Sequence, residues 1–270
     1  MKKIFLVVKI VMTSTIVLAI VIFVYLFFFT SKELRFSFAE KKQGLFLSQQ
    51  LFKTLIFQYP AYSDAYFEKS VAFNKRGEYA EGFYLLNKAV EINPEAHLGY
   101  RGWLKLYKLK DFRGALLDFK RLDALTPNVI DAPWGENIYY LKGLSYNGLG
   151  QYKEAIIEFN KNIITESDSS WIDPKLFLHK GIALKELGDN EYALDNLNVC
   201  LNHTSNSSAE AFYQKGIVLK NLKQFDSSLI SFRKSKQLFE KGRKIKDFYN
   251  EIPNELYLAD ILKEISSLDE

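Results

Sequence analysis

Gly143-Leu-Ser-Tyr-Asn-Gly-Leu-Gly-Gln-Tyr-Lys-Glu-Ala-Ile-Ile-Glu-Phe159 reads as two short amphipathic helices joined by a tight turn. Gly143 lets the second helix lie close against the first. Tyr146 carries the apolar face of the first helix. Leu149-Gly150-Gln151 forms the turn, and Gly150 supplies a backbone conformation that a residue with a Cβ resists. Tyr152, Ala155 and Phe159 then fall on one face at helical spacing. A hairpin of this kind cannot bury its apolar face alone, so it needs neighbours of the same design.

The chain supplies them. Further copies turn at Gly77-Glu78-Tyr79, Lys110-Asp111-Phe112, Leu187-Gly188-Asp189 and Leu222-Lys223-Gln224-Phe225. Aligned at the turn, Gly82, Ala115, Ala155, Ala193 and Ser228 are all small, and four residues later Leu86, Phe119, Phe159, Leu197 and Phe232 are all large and apolar. Phe73, Leu106, Tyr146, Leu184 and Leu219 precede the turn. Small residues set a close helix crossing, and large ones fill the gaps between successive hairpins. Ser70, Gly143, Gly181 and Gly216 occupy a second small slot before the turn. The second copy departs there: Trp103 stands in the slot and Gly102 sits one residue early.

This pattern resembles the tetratricopeptide repeat family, a two-helix unit of about 34 residues. Pro60 to Pro94 spans 34 residues and Pro94 to Pro127 spans 33, and proline just past the second helix belongs to that family's pattern. The resemblance covers residues 61 to about 240 and implies an all-α fold, a right-handed α-solenoid of about five hairpins. The repeats are expected over residues 63–96, 97–127, 136–166, 174–204 and 209–240, within a body of 61–250.

Residues 1–30 are a candidate transmembrane signal-anchor. Ile10 to Ser31 is a run of 22 residues without a charge, long enough at 1.5 Å per residue for a hydrocarbon core of about 30 Å. A cleaved signal peptide is the rival, but the run ends Leu-Phe-Phe-Phe-Thr-Ser-Lys-Glu, without a small-x-small site. The membrane contact is expected over residues 4–29. Lys2, Lys3 and Lys9 precede the span, while Lys32, Arg35, Lys41 and Lys42 follow it, a near tie for the positive-inside rule. The short tail has no acid, which favours a cytoplasmic N-terminus. The repeats then lie on the periplasmic side of a bacterial inner membrane, the cytoplasmic side being the alternative.

Residues 31–60 read as a connecting helix and N-terminal cap, a half repeat whose first helix has eroded, with Ser48, Phe52 and Pro60 in the second-helix slots. Phe239 to Tyr249 reads as a helical extension. Residues 251–270 read as a capping helix from Glu255 to Leu268, with Asn254 as its N-cap and Leu258, Ile261, Leu262 and Ile265 on one side.

Net charge is +4, with Lys and Arg 36 against Asp and Glu 32. Residues 1–60 hold eight basic and two acidic residues, so the remainder carries 28 basic against 30 acidic, a balance of −2. The repeats thus have no basic excess for nucleic acid. His97, His179 and His203 stand far apart and lack metal-ligand spacing, and no phosphate-binding glycine loop is present. Cys200, the single cysteine, reads as a small buried residue. No cofactor, metal, catalytic group or small-molecule substrate is expected, and the chain is not expected to be an enzyme.

The expected partners are other proteins. In the family, first helices line a concave groove, and the resemblance places Phe67, Val71, Asn74; Tyr100, Leu104, Tyr107; Tyr140, Leu144, Asn147; Leu178, Ile182, Lys185; and Tyr213, Ile217, Lys220 on it. Chaperone-binding members clamp a carboxylate with Lys and Asn in the first two slots, which are aromatic or aliphatic here. The groove therefore suits a peptide or helix with apolar anchors; the bland alternative is that these side chains pack between first helices. Trp134 and Trp171, one in each long connection, form a candidate second contact edge, unless each ring folds back on its own repeat. The function implied is a membrane-anchored interaction scaffold for assembly or export of an envelope complex; the alternative is a constitutive subunit of a large membrane complex.

Overall fold

The computed structural model describes residues 2–166, 172–246, 250 and 253–269. Among these residues the chain is all-α, with fourteen α-helices, one short 3-10 turn and no strand. It divides into two units, residues 1–97 and 98–270, and the boundary falls inside the helix Pro94–Tyr107.

Unit 1 begins with α1 (Lys2–Phe28). Ile4–Tyr25 has a mean hydropathy of 2.6 and none of it is buried. α2 (Lys32–Glu40) starts on the Ser31 side chain, which accepts from the Leu34 N–H, and packs on α3 (Phe46–Gln58). The first helix expected to be eroded is therefore present as a nine-residue arm. Ala39, Leu51, Phe52, Leu55 and Ala65 form the core, and Phe36 lies 6.1 Å from Phe52 between ring centres. α4 (Ser63–Lys75) and α5 (Tyr79–Ile92) make the first full hairpin, and α6 (Pro94–Tyr107) follows.

Unit 2 continues with α7 (Phe112–Leu125), the 3-10 turn Pro133–Gly135, α8 (Ile138–Gly148), α9 (Tyr152–Thr165), α10 (Pro174–Glu186), α11 (Asn190–His203), α12 (Ala209–Asn221), α13 (Phe225–Glu240) and α14 (Leu258–Asp269). Within this unit each hairpin leans on the next, through α7 on α8, α9 on α10 and α11 on α12.

The crossings explain the small-large pattern. A methyl placed on Gly143 would come within 2.4 Å of the Phe159 ring, and one on Gly216 within 2.6 Å of Phe232. Phe119, Phe159, Leu197 and Phe232 are fully buried in consequence. The turns share one device. Gly77, Lys110, Gly150, Gly188 and Lys223 all have positive φ, at +77°, +51°, +70°, +84° and +60°. In the third hairpin the Gln151 N–H donates to the Tyr146 carbonyl and the Gly150 N–H to Asn147, closing α8 as a left-handed C-cap.

The departure in the second hairpin resolves as one inserted residue. Gly102, not Trp103, meets the large partner, since a methyl there would lie 2.7 Å from Phe119. The end of α6 absorbs the extra residue: the Asp111 N–H reaches the Lys105 carbonyl, six residues back instead of five.

The C-terminal region differs from its reading. α13 ends at Glu240, and residues 241–246 are not helical, so the extension expected from Phe239 stops there; residues 247–249 lie outside those described. α14 starts at Leu258, later than expected. Asn254 is not its cap but adopts positive φ, +55°, and the Asp260 carboxylate instead accepts from the Tyr257 N–H. Ile261 is buried with Phe232, Leu238 and Leu256, whereas Leu262 faces outward.

Candidate partner-binding face

In unit 1, Phe67 stacks on His97 with ring centres 4.9 Å apart. Asn74 is buried against Gly82, in the crossing of its own hairpin, and does not offer its amide to a groove. With no side chain at Gly82, the crossing has room for the amide.

In unit 2, the inner face carries Trp103 and Tyr107 on α6, Tyr140 and Leu144 on α8, Leu178 and Ile182 on α10 and Tyr213 on α12. Tyr107, Tyr140, Leu144, Leu178, Ile182 and Tyr213 were legible from the register. Trp103 was missed because the inserted residue shifts the register of α6; Leu104 is buried. Tyr100 turns towards the connection before α8, 4.7 Å from Trp134.

Trp134 joins this same neighbourhood. Its φ of +56° is a strained conformation for a bulky residue, and it lays the indole 5.7 Å from Trp103. The ring thus folds over its own surroundings yet remains over half exposed. Trp171 lies outside the described residues. Beneath Trp134, the Glu136 carboxylate accepts from the Trp103 indole N–H at 3.2 Å and from the Tyr107 hydroxyl at 2.9 Å. Burial pushes the Glu136 carboxyl above the usual range, the two hydrogen bonds opposing it.

The third register position has a structural duty. Tyr107 reaches forward to Glu136, the Asn147 amide donates to the His179 carbonyl at 3.1 Å, Lys185 reaches Gln214 at 3.0 Å and Lys220 reaches Glu264 at 2.8 Å. Each ties a first helix to the next first helix, to the connection before it, or to α14. Asn147, Lys185 and Lys220 are consequently engaged within the chain, while Ile217 packs towards the C-terminal core.

The inner face is not open along its length. Pro253 and Asn254 border a partly open cavity of about 150 Å³ with Leu106, Leu144 and Ile182. Ile245, Lys246, Asn250 and Pro253 border a second, of about 200 Å³, with Trp103, Tyr107, Trp134 and Tyr140. Leu256 and Ile245 border a third, of about 200 Å³, with Leu178, Ile182 and Tyr213. Sequence reading placed Ile245 and Lys246 in a helical extension and Pro253, Asn254 and Leu256 in the C-terminal capping region.

A second row was also missed. Five residues after the start of each second helix stand Tyr84, Leu117, Ile157, Asp195 and Ile230, and all four apolar members are more than half exposed.

Among the described residues no group of three potential metal ligands converges. Cys200 is buried, its thiol pushed up to about 12 by burial, and buried His179 is pushed down to about 4. Neither is poised for chemistry near neutral pH.

The family model for the tetratricopeptide repeat matches residues 136–162 and 209–241, the third and fifth hairpins. The chain is a tetratricopeptide-repeat protein. Solved structures agree on this all-α solenoid fold. PilW, described as a widely conserved type IV pilus biogenesis factor, matches with a TM-score of 0.59 at 12% identity, over 77% of this chain and 94% of that one. YrrB, described as a tetratricopeptide-repeat protein with an unusual peptide-binding site, matches with a TM-score of 0.54 at 16% identity, over 69% and 91%. The anaphase-promoting-complex hetero-tetramer Cut9–Hcn1 matches with a TM-score of 0.56 at 15% identity; 83% of this repeat protein covers only 39% of that chain. The comparison with curated proteins returns no match. These matches support proteins as the partners of this chain.

Proposed function

We propose that this repeat protein is a membrane-anchored scaffold that binds partner proteins close to the bilayer during assembly or export of an envelope complex. The observation that carries the reading is the inner face of unit 2, where Trp103, Tyr107, Tyr140 and Trp134 gather around Glu136. Aromatic anchors beside a hydrogen-bonded polar group are what a peptide-binding face requires. A peptide-binding site is named for YrrB and pilus biogenesis for PilW, which fits the proposal. The exposed apolar stretch Ile4–Tyr25 would be the anchor, with Lys2, Lys3 and Lys9 holding the N-terminus in the cytoplasm and the repeats outside it. No catalysis, cofactor or nucleic acid belongs to this reading.

A second reading, a constitutive subunit docked by its outer surface, draws support from the exposed Leu117, Ile157 and Ile230 row. Purification in mild detergent separates the two. Sub-stoichiometric partners lost on Tyr107→Ala with Tyr140→Ala, at unchanged helix content, support the scaffold. A fixed-ratio complex indifferent to that pair, but broken by Ile157→Lys, overturns it. Reporter fusions after residue 270 test the side of the membrane, and an active cytoplasmic reporter would reverse the orientation.

A further inference from the structure

A helix pair at the edge of a repeat stack has one face that no neighbour covers, and in water that face is polar. In unit 2, α14 obeys the rule: Lys263, Ser266 and Ser267 face outward, and Leu262 is the one large apolar side chain exposed among its described residues. In unit 1, α2 and α3 do the opposite. Leu34 and Phe38 stand one turn apart on α2 and are 60% and 55% exposed. Phe46, Lys53 and Phe57 share one face of α3 at i, i+7 and i+11, and both rings are 77% exposed. Leu45, directly before α3, is exposed as well. The pair does not lack a core, since Ala39, Leu51, Phe52 and Leu55 are buried on its inner side with Ala65 of α4. Only α1 precedes the pair, and none of Ile4–Tyr25 is buried. So many large apolar side chains on one short pair of helices mark a contact surface.

The chain on the other side of α2 says what covers it. α1 ends at Phe28 and α2 begins at Lys32. The four Cα steps between them reach at most about 14 Å. The headgroup layer beside a hydrocarbon core is roughly 5–8 Å thick. With α1 across a bilayer, α2 therefore starts within that layer or just outside it. Charge agrees. Residues 31–60 carry five basic residues against two acidic ones. Glu33 lies 3.8 Å from Lys32, whereas Lys41, Lys42 and Lys53 are exposed and make no ion pair among the described residues. Lys32 sits 5.0 Å from the centre of the Tyr62 ring. Apolar side chains flanked by lysines are the composition of helices that lie in the interface of an anionic bilayer.

We propose that the outer faces of α2 and α3 are seated in the interface of an anionic bilayer, with Leu34, Phe38, Phe46 and Phe57 among the upper acyl chains and Lys41, Lys42 and Lys53 at the phosphates. The proposal rests on the reading of α1 as a membrane anchor. It adds a second lipid contact. A single spanning helix leaves the chain behind it free to swing, and a second contact three residues further on holds unit 1 at a fixed tilt to the membrane.

The test uses the full chain reconstituted in vesicles of phosphatidylcholine and phosphatidylglycerol, with an environment-sensitive nitrobenzoxadiazole probe on Gly44→Cys. Gly44 lies between α2 and α3, a Cβ there meets nothing within 4 Å, and buried Cys200 does not compete for the label. Spin-labelled lipid is expected to quench this probe. Leu34→Ser, Phe38→Ser, Phe46→Ser and Phe57→Ser combined, all at exposed sites and so at unchanged helix content, should cut the quenching by about threefold or more. Equal quenching in the wild type and the combined variant overturns the proposal. So does a probe shielded in detergent at the mass of a dimer, which would assign the face to a second copy of the chain. A probe on Ser14→Cys, within α1, judges the anchor separately. Quenching at position 14 with none at position 44 keeps the anchor and overturns the proposal; quenching at neither overturns both.

Discussion

Phe159 under Gly143 and Pro253 over Leu144 are both apolar contacts of unit 2, and they differ in closeness. The ring of Phe159 leaves no room for even a methyl at Gly143, whereas Pro253 and Leu144 border a cavity of about 150 Å³. The first contact belongs to a crossing repeated in register, each copy supported by the next. The second belongs to a segment that occurs once. Repetition demands interlocking, because a misfit in one hairpin propagates to its neighbour. A residue outside the repeats, such as Pro253, is under no such demand.

The comparison can be broken at several points. The largest effect is expected at the crossing. Phe159→Ala removes a fully buried ring and should cost about 3–5 kcal/mol, read as loss of helical signal at lower denaturant. An equally large loss is not expected from Ile245 or Pro253, which border cavities.

Next comes acid. His179 is buried 6.1 Å from the Tyr140 ring, and burial lowers its pKa to about 4 from the ordinary 6.5. A depressed histidine contributes stability above pH 6.5 that is lost as pH falls through about 4, a gap of about 3 kcal/mol in full. Glu136 and Glu210, raised by burial, act in the opposite sense, losing stability as pH rises above the ordinary 4.5. His179→Leu should therefore flatten or reverse the acid fall in melting temperature between pH 7 and pH 5. An unchanged fall would show that other groups carry it.

The smallest effect is expected at the turns. Lys223 holds φ at +60° where three of the other four turns have glycine. Lys223→Gly relieves the left-handed strain against the greater freedom of an unfolded glycine, for a net gain of about 0.5–1 kcal/mol by denaturant titration. A loss would mean that the side chain contributes more than the strain costs.

The hairpins were legible because their register is written several times over, so Gly82, Ala115, Ala155, Ala193 and Ser228 corroborate one another. What occurs once was not legible. The inserted residue in α6 brought Trp103 onto the inner face; Gly102 standing one residue early showed the departure in the sequence, but not which side chain it brought there. The connection from α13 to α14 has no periodicity, so Ile245, Pro253 and Leu256 gave no sign of sharing a cavity with Leu178 and Ile182. Lys185 and Lys220 look like groove residues by register, but their reach to Gln214 and Glu264 depends on the following element and not on their own helix. The outer row of Leu117, Ile157 and Ile230 was written in the same register but passes, residue by residue, for ordinary surface.

The most direct measurement sets the two contacts side by side: thermal unfolding, followed by circular dichroism, of the wild type, Phe159→Ala, and Ile245→Ser with Pro253→Ser. The account predicts that the first variant lowers the melting temperature by roughly 10 °C and the second by less than roughly 2 °C. Comparable losses would contradict it, because Ile245 and Pro253 would then be packed as tightly as the repeated crossings.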